Sequence, residues 1–293
     1  MQLSSHYVGL RLKSYQTQAT ARRSTNYAAA LGDANPLYFD DGREGGILAP
    51  PMLSSALTWP VSSQVWDYLD APDFPTQVLL TQVHYEEHLA FHQPLRPGLR
   101  LEVGGQVAAI LPHRAGTLVV LCYEARQQDG SPVFTEFVTG LLRGVECVGD
   151  GQGQESLPMT PPAPAGVGPV WEVQVAIDRL ASYVYDAGAE VHFPIHSSPS
   201  FARRVGLPGI IYQGTATLAH AARWLVDKEA GGDPSRLKVL ACRFGAMVAP
   251  GSTIQVRLLA GEVDSGGRHL YFEVLNAAGE RAVRDGYAWV DNR

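Results

Sequence analysis

Tyr183 to Ala219 reads YVYDAGAEVHFPIHSSPSFARRVGLPGIIYQGTATLA, and the rest of the chain is understood by comparison with this stretch. It holds an acid (Glu190), two imidazoles (His192 and His196), a Pro208-Gly209 turn and a glycine, Gly214, that opens an apolar helix. An acid, a base and a backbone amide at a helix start are the parts that acid–base chemistry on a carbonyl compound needs. Leu218, Ala222, Leu225 and Val226 recur at helical spacing and Gly231-Gly232 follows, which predicts a helix over 215–230 with one buried stripe.

A second, altered copy lies near the N-terminus. Tyr15, Gln18, Tyr27 and Gly32 face Trp171, Gln174, Tyr183 and Gly188 at one offset of 156 residues. Two extra residues then enter the second copy, and Pro36, Leu37 and Tyr38 face Pro194, Ile195 and His196 at 158. Gly46-Ile47 faces Gly209-Ile210 at 163, and Phe91 with Pro97-Gly98 faces Phe244 with Pro250-Gly251 at 153. Shared element order and shared Gly and Pro positions imply a tandem duplication.

In each copy the order is strand, short helix, polar loop, long helix and several strands. In the first copy these are a strand at 15–21, a helix at 23–31, a helix at 52–59 interrupted by Pro60, and a multi-stranded antiparallel sheet over 78–140. The second copy has strands at 171–177, 237–244, 254–260, 270–275 and 282–290. Between them, 148–170 is rich in Gly and Pro and reads as a linker, giving halves 1–147 and 171–293. The fold class is α+β: two antiparallel sheets, each wrapping a central helix, packed as a pseudo-dimer with one extended sheet.

Bulk properties narrow the function classes. Of the 293 residues 45% are hydrophobic and 18% charged, enough apolar material for real cores. A net charge of -6 without a Lys/Arg cluster argues against nucleic acid. Three scattered cysteines suggest neither disulfides nor a thiolate metal site, and the N-terminal MQLSSHYVGLRLKSYQ lacks an apolar run, so a cytoplasmic protein that does not span a membrane is expected. His84-Tyr85-Glu86-Glu87-His88 has the spacing HxxEH, but zinc proteases need it on a helix and this segment reads as a strand, so no metal is expected.

YAAALGDANPLYFDD with GGILAPPM, and FPIHSSPSFARRVGLPGIIYQGTATLA, resemble the MaoC-like dehydratase and (R)-specific enoyl-CoA hydratase family of double-hotdog proteins. The resemblance implies two hotdog units and the pattern Asp-x-Asn-Pro-Ile-His followed by His-Gly at the central helix. The first copy keeps Asp33, Asn35 and Pro36 but has Tyr38 and Pro50-Pro51, so it looks non-catalytic. The second keeps Pro194, Ile195, His196 and Gly214, with Val191, Phe193 and Gln213 at the positions of the aspartate, the asparagine and the second histidine.

The implied reaction is reversible hydration or dehydration of an acyl thioester on coenzyme A or an acyl-carrier protein, with coenzyme A only as part of the substrate and no cofactor. His196 is the expected base, Glu190 the acid that stands in for the aspartate, and the Gly214 amide the donor to the thioester oxygen. Thr215 is expected to cap the helix. Asp33, Asn35, His192, Gln213, Thr215 and Arg203 are candidates for substrate contact, Asp33 and Asn35 also bracing their loop. A catalytically degenerate acyl-carrier binding protein and a thioesterase are the alternatives, and a homodimer of double units would fit the fold.

Overall fold

Val, Leu, Tyr and Thr alternating between Gly and Pro turns build long strands, and the computed structural model shows them over residues 1–166 and 168–292. Val167, within the expected linker, and Arg293, the last residue of the expected second half, lie outside the described residues. The first half contains β1 (Gln2–Ser4), β2 (Arg11–Gln18), α1 (Ala21–Ala30), α2 (Leu53–Ser63), α3 (Val65–Tyr68), β3 (Gln82–Phe91), β4 (Arg100–His113), β5 (Gly116–Gln127), β6 (Pro132–Arg143) and β7 (Glu146–Val148). The second contains β8 (Trp171–Ile177), α4 (Ala181–Ala189), α5 (Pro194–Ser197), α6 (Pro199–Arg204), α7 (Gly214–Glu229), β9 (Leu237–Phe244), β10 (Ser252–Val263), β11 (Gly267–Leu275) and β12 (Arg281–Asp291).

Ten strands form one sheet in the order β2-β4-β5-β6-β3-β9-β12-β11-β10-β8, five from each half. The halves join where β3 pairs antiparallel with β9, from Glu86 opposite Arg243 to Ala90 opposite Val239. Each half wraps its own helix. α7 buries Leu218, Ala222, Leu225 and Val226, the stripe expected from their spacing, and α2 buries Leu53, Ala56, Leu57 and Val61.

Equivalent hydrogen bonds recur in both halves. The Ser24 hydroxyl donates to the Leu48 carbonyl and the Ser182 hydroxyl to the Ile211 carbonyl, both at 3.3 Å. The amides of Ala49 and Tyr212 donate to Leu95 and Val248, both at 2.8 Å. The structure corrects the alignment at the short helices: the buried partner of Tyr27 is Tyr185, not Tyr183, with their hydroxyls 3.0 Å apart. An offset of 158 therefore already holds at α1 and α4, and the two extra residues lie before these helices.

Pro60 also departs from expectation, because α2 runs through it. A proline cannot donate to the carbonyl four residues back, which is that of Ala56. The Arg23 guanidinium reaches that carbonyl at 3.5 Å from α1, so the vacated acceptor is met from outside the helix.

α1 and α4 cross closely because of Gly188, where an added Cβ would lie 2.6 Å from the Ala30 Cβ and 2.8 Å from the Asn26 carbonyl oxygen. Gly188→Val should therefore lower stability by about 1–3 kcal/mol in urea unfolding. Ala187→Val, at the exposed neighbouring position, should change it by no more than about 0.5 kcal/mol. Equal effects would show that the crossing is loose.

Candidate active site

Pro194 starts α5 at a position where the missing amide proton is not needed, and this single turn sets the His196 ring against the strand-like run before α7. His196 Nδ1 lies 2.8 Å from the Ile211 carbonyl oxygen. A carbonyl only accepts, so Nδ1 carries the proton and Nε2 keeps its lone pair. Burial lowers the His196 pKa below its ordinary value against the opposing pull of that carbonyl, which keeps the ring neutral and Nε2 basic at neutral pH.

Two residues past Ile211, Gln213 precedes α7 and turns inward, its Nε2 donating to the Ser182 carbonyl at 2.9 Å. Its Oε1 is buried without a hydrogen-bond partner among the described residues. No side chain caps α7. Thr215, expected to do so, instead accepts from the Tyr185 hydroxyl at 3.2 Å. The first amides of α7 thus remain open to an oxygen anion, and the helix dipole favours one there. Gly214 leaves room: a Cβ would come within 3.2 Å of the Phe244 ring.

The other expected residues divide. Glu190 has Arg23 as its partner, with Oε2 3.2 Å from Nε and 56% of the side chain exposed. Its backbone is left-handed at φ 59°, matching Gly32 at φ 61° in the first half. Glu190 therefore occupies the helix-ending position, and buried Val191 matches buried Asp33. His192 is exposed and 2.8 Å from Asp186.

Asp33 and Asn35 do not meet His196. The Asp33 carboxyl accepts from the Asn35 amide at 3.1 Å, while Asn35 Nδ2 donates to the Gly232 carbonyl at 2.7 Å, beyond the far end of α7. They line a groove of about 510 Å³ with Arg223 and Asp227. Arg203 is exposed at the end of α6, next to Arg204, which lies over the Phe201 ring at 5.0 Å.

One cluster escaped the sequence reading. His84 Nε2 stands 2.9 Å from Glu87 Oε2, and the His84 ring packs on Phe244 with centroids 4.5 Å apart. Glu87 and Glu136 are each 1% exposed. The signal was the pattern HYEEH itself, four imidazole and carboxyl side chains crowded into five residues of one strand, although simple alternation does not place His84 and Glu87 on the same face. Among the described residues, no group of three or more His, Cys, Asp or Glu has the geometry to hold a metal, and no helix is long and apolar enough to cross a membrane.

Residues 172–280 match the model of the MaoC like domain, and residues 6–136 match that of the FAS1-like dehydratase domain region. The C-terminal half is thus similar to a MaoC like domain. The chain is 22% identical to the crystal structure of a MaoC-like dehydratase from Phytophthora capsici, with a TM-score of 0.83 and 98% of each chain covered. The fold is a double hotdog, as in a Mycobacterium tuberculosis protein of that fold that matches with a TM-score of 0.58 over 96% of this chain. A probable enoyl-CoA hydratase 2 of Dictyostelium discoideum is 26% identical over 145 residues, covering 50% of this chain and 49% of the relative. A 3-hydroxyacyl-thioester dehydratase Y of Mycobacterium tuberculosis is 28% identical over 176 residues, covering 59% of each. The chain thus spans about half the length of these relatives.

Long-range proton–nitrogen NMR should show His196 as the neutral Nδ1-protonated tautomer at pH 7, titrating below 6.5. Titration at or above 6.5 would mean that its ring is solvated.

Proposed function

We propose that the chain catalyses reversible hydration and dehydration of an acyl thioester. Supporting this are the neutral His196, whose Nε2 is left basic by the Nδ1 bond to Ile211, and the uncapped start of α7 three residues beyond that carbonyl. In hydration, His196 Nε2 removes a proton from water as the water oxygen bonds to Cβ. Charge moves to the thioester oxygen, where the Gly214 amide and the dipole of α7 receive it. A proton then adds to Cα. The reaction needs no metal or redox group, and coenzyme A enters as part of the substrate.

In this reading 171–293 is the catalytic unit, 1–147 shapes the acyl site, and 148–170 links them. Gln213 and Thr215 fix the start of α7 through Ser182 and Tyr185, Glu190 braces the His196 loop through Arg23, and His192 stays at its rim. Arg203 meets a phosphate of coenzyme A or of a carrier protein. The groove at Asp33 and Asn35 suits that phosphate poorly, because Asp33 and Asp227 outnumber Arg223 there. A cytoplasmic homodimer fits this reading.

The replacements Val191, Phe193 and Gln213 favour one rival, a protein that binds acyl carriers without turnover. Purified protein incubated with crotonyl-CoA should consume the conjugated absorbance, and His196→Ala should reduce kcat by about 100- to 10,000-fold. Thermal stabilisation by acyl-CoA with no turnover over a panel of chain lengths would establish the rival.

A further inference from the structure

The duplication supplies an internal control for the cluster on β3. At the offset that sets Phe91 against Phe244, His84 and Glu87 correspond to Leu237 and Leu240 of β9. Those leucines are 1% and 0% exposed, as expected for the helix-facing side of a sheet. Leu237 lies with Pro51 and Phe91 around a small cavity near the start of α2. His84 holds the matching place near the start of α7, stacked on the ring that touches Gly214. The polar version of this corner is carried by a strand of the first half and lies near the start of α7 in the half that carries His196.

Its geometry is that of a supported imidazole. A register shift between His84 and Glu86 in the β3–β6 ladder brings His84 and Glu87 together. His84 Nε2 is closed off against Glu87, while 31% of the His84 side chain stays open. Behind Glu87 lies Glu136 of β6, which Thr58 of α2 contacts. Neither Glu87 oxygen completes a well-directed hydrogen bond, and among the described residues no Lys or Arg pairs with either carboxyl. Leucine at both β9 positions shows that packing alone does not require these groups.

We propose that His84 is the second acid–base group of the site, held and recharged by Glu87. This rests on the hydratase reading. In hydration, the His84 ring nitrogen that does not face Glu87 gives its proton to Cα as the electron pair of the enolate forms the new C–H bond. The Glu87 carboxyl proton passes to His84 Nε2, and the proton taken from water stays on His196 Nε2. His196 then releases its proton to solvent, the donating nitrogen of His84 takes one up, and the Nε2 proton returns to Glu87, so that H and OH of one water have been added and the site is reset.

Burial raises Glu87 to about 7 and lowers His84 to about 4, so the proton resides on the carboxyl and the ring is neutral. Glu136 is raised further, chiefly by burial and then by Glu87. The other groups facing Glu87 are Tyr27 of α1, Tyr185 of α4, Tyr123 of β5 and Cys242 of β9, whose own pKa values are all raised. Glu87 is thus the group among them that titrates near neutrality. The donor is loaded below about pH 7 and empties above it.

The test measures kcat and KM for crotonyl-CoA from about pH 5 to 9 with the full chain, with circular dichroism as a check of folding. Wild type should lose activity above about pH 7. His84→Gln should lower kcat about 100-fold or more with KM within about threefold, and Glu87→Gln should lower kcat and abolish the alkaline limb. A His84→Gln kcat within about threefold of wild type, or an alkaline limb that survives Glu87→Gln, overturns the proposal. If the His84 variant does not fold, Glu87→Gln, which keeps the shape of the protonated acid, decides; a wild type without an alkaline limb overturns it with no variant. Turnover lost in His196→Ala but kept in His84→Gln overturns the role of His84 alone, whereas a wild type without turnover overturns the hydratase reading as well.

Discussion

The pairing of β3 with β9 is the constraint on which the rest depends. Each five-stranded half presents an unpaired edge there, and the two edges satisfy each other over the five residue pairs from Glu86–Arg243 to Ala90–Val239. Strand side chains alternate with period two, so a slip of one residue would turn Glu87 and Leu240 out of the interior together. The register also sets the Glu86–Arg243 ion pair across the seam and brings Phe244 of one half onto His84 of the other. The start of α7 is consequently walled by residues from both copies.

Above the seam, α1 and α4 close the interior with a chain of hydroxyls running from Tyr27 to Tyr185 to Thr215. Each such bond contributes about 1 kcal/mol, but an unpaired hydroxyl at that depth costs more, which ties the two helices in one arrangement. Arg23 extends the connection. It meets the Ala56 carbonyl left free by Pro60, the Gln18 carbonyl and Glu190, so the second half's Glu190 loop is anchored on the first half's helix. Glu190 holds a left-handed conformation that glycine would adopt at lower cost, and its ion pair with Arg23 offsets that cost.

How far the sequence was legible depended on how much local chemistry each element carried. β8 and β9 fall at the residues read from their apolar runs, and α7 falls one residue from its expected start because Gly231-Gly232 and the apolar stripe mark it. The sheet was legible from 82 onward, whereas 76–81 form 3-10 turns that their apolar residues disguise. At α4 the pattern Tyr183-Val184-Tyr185 permits two alignments two residues apart, and only burial separates them: Tyr185 is wholly buried and Tyr183 is 38% exposed. That ambiguity is what set the two extra residues after Gly188 instead of before α4. The strand at His84 was read correctly as no zinc helix, yet the bulge that turns His84 toward Glu87 has no sequence signature.

The two copies have kept complementary parts of one motif, the first Asp33-Ala34-Asn35-Pro36 and the second Pro194-Ile195-His196. Complementation between them is ruled out by commitment: Asn35 is spent on Gly232, and Asp33 on the Asn35 amide with Arg223 nearby, at the opposite end of α7 from His196. Val191 and Phe193 cannot carry a proton, and the Glu190 carboxylate is engaged by Arg23. An imidazole at the start of α7 with no acid in its own loop therefore draws its partner from another element. β3 is the element that touches this corner, through Phe244, and that also stores a proton in a buried carboxyl pair. The sheet seam that made one molecule of two halves thereby places the proton store of the first half against the ring that packs on the start of the second half's long helix.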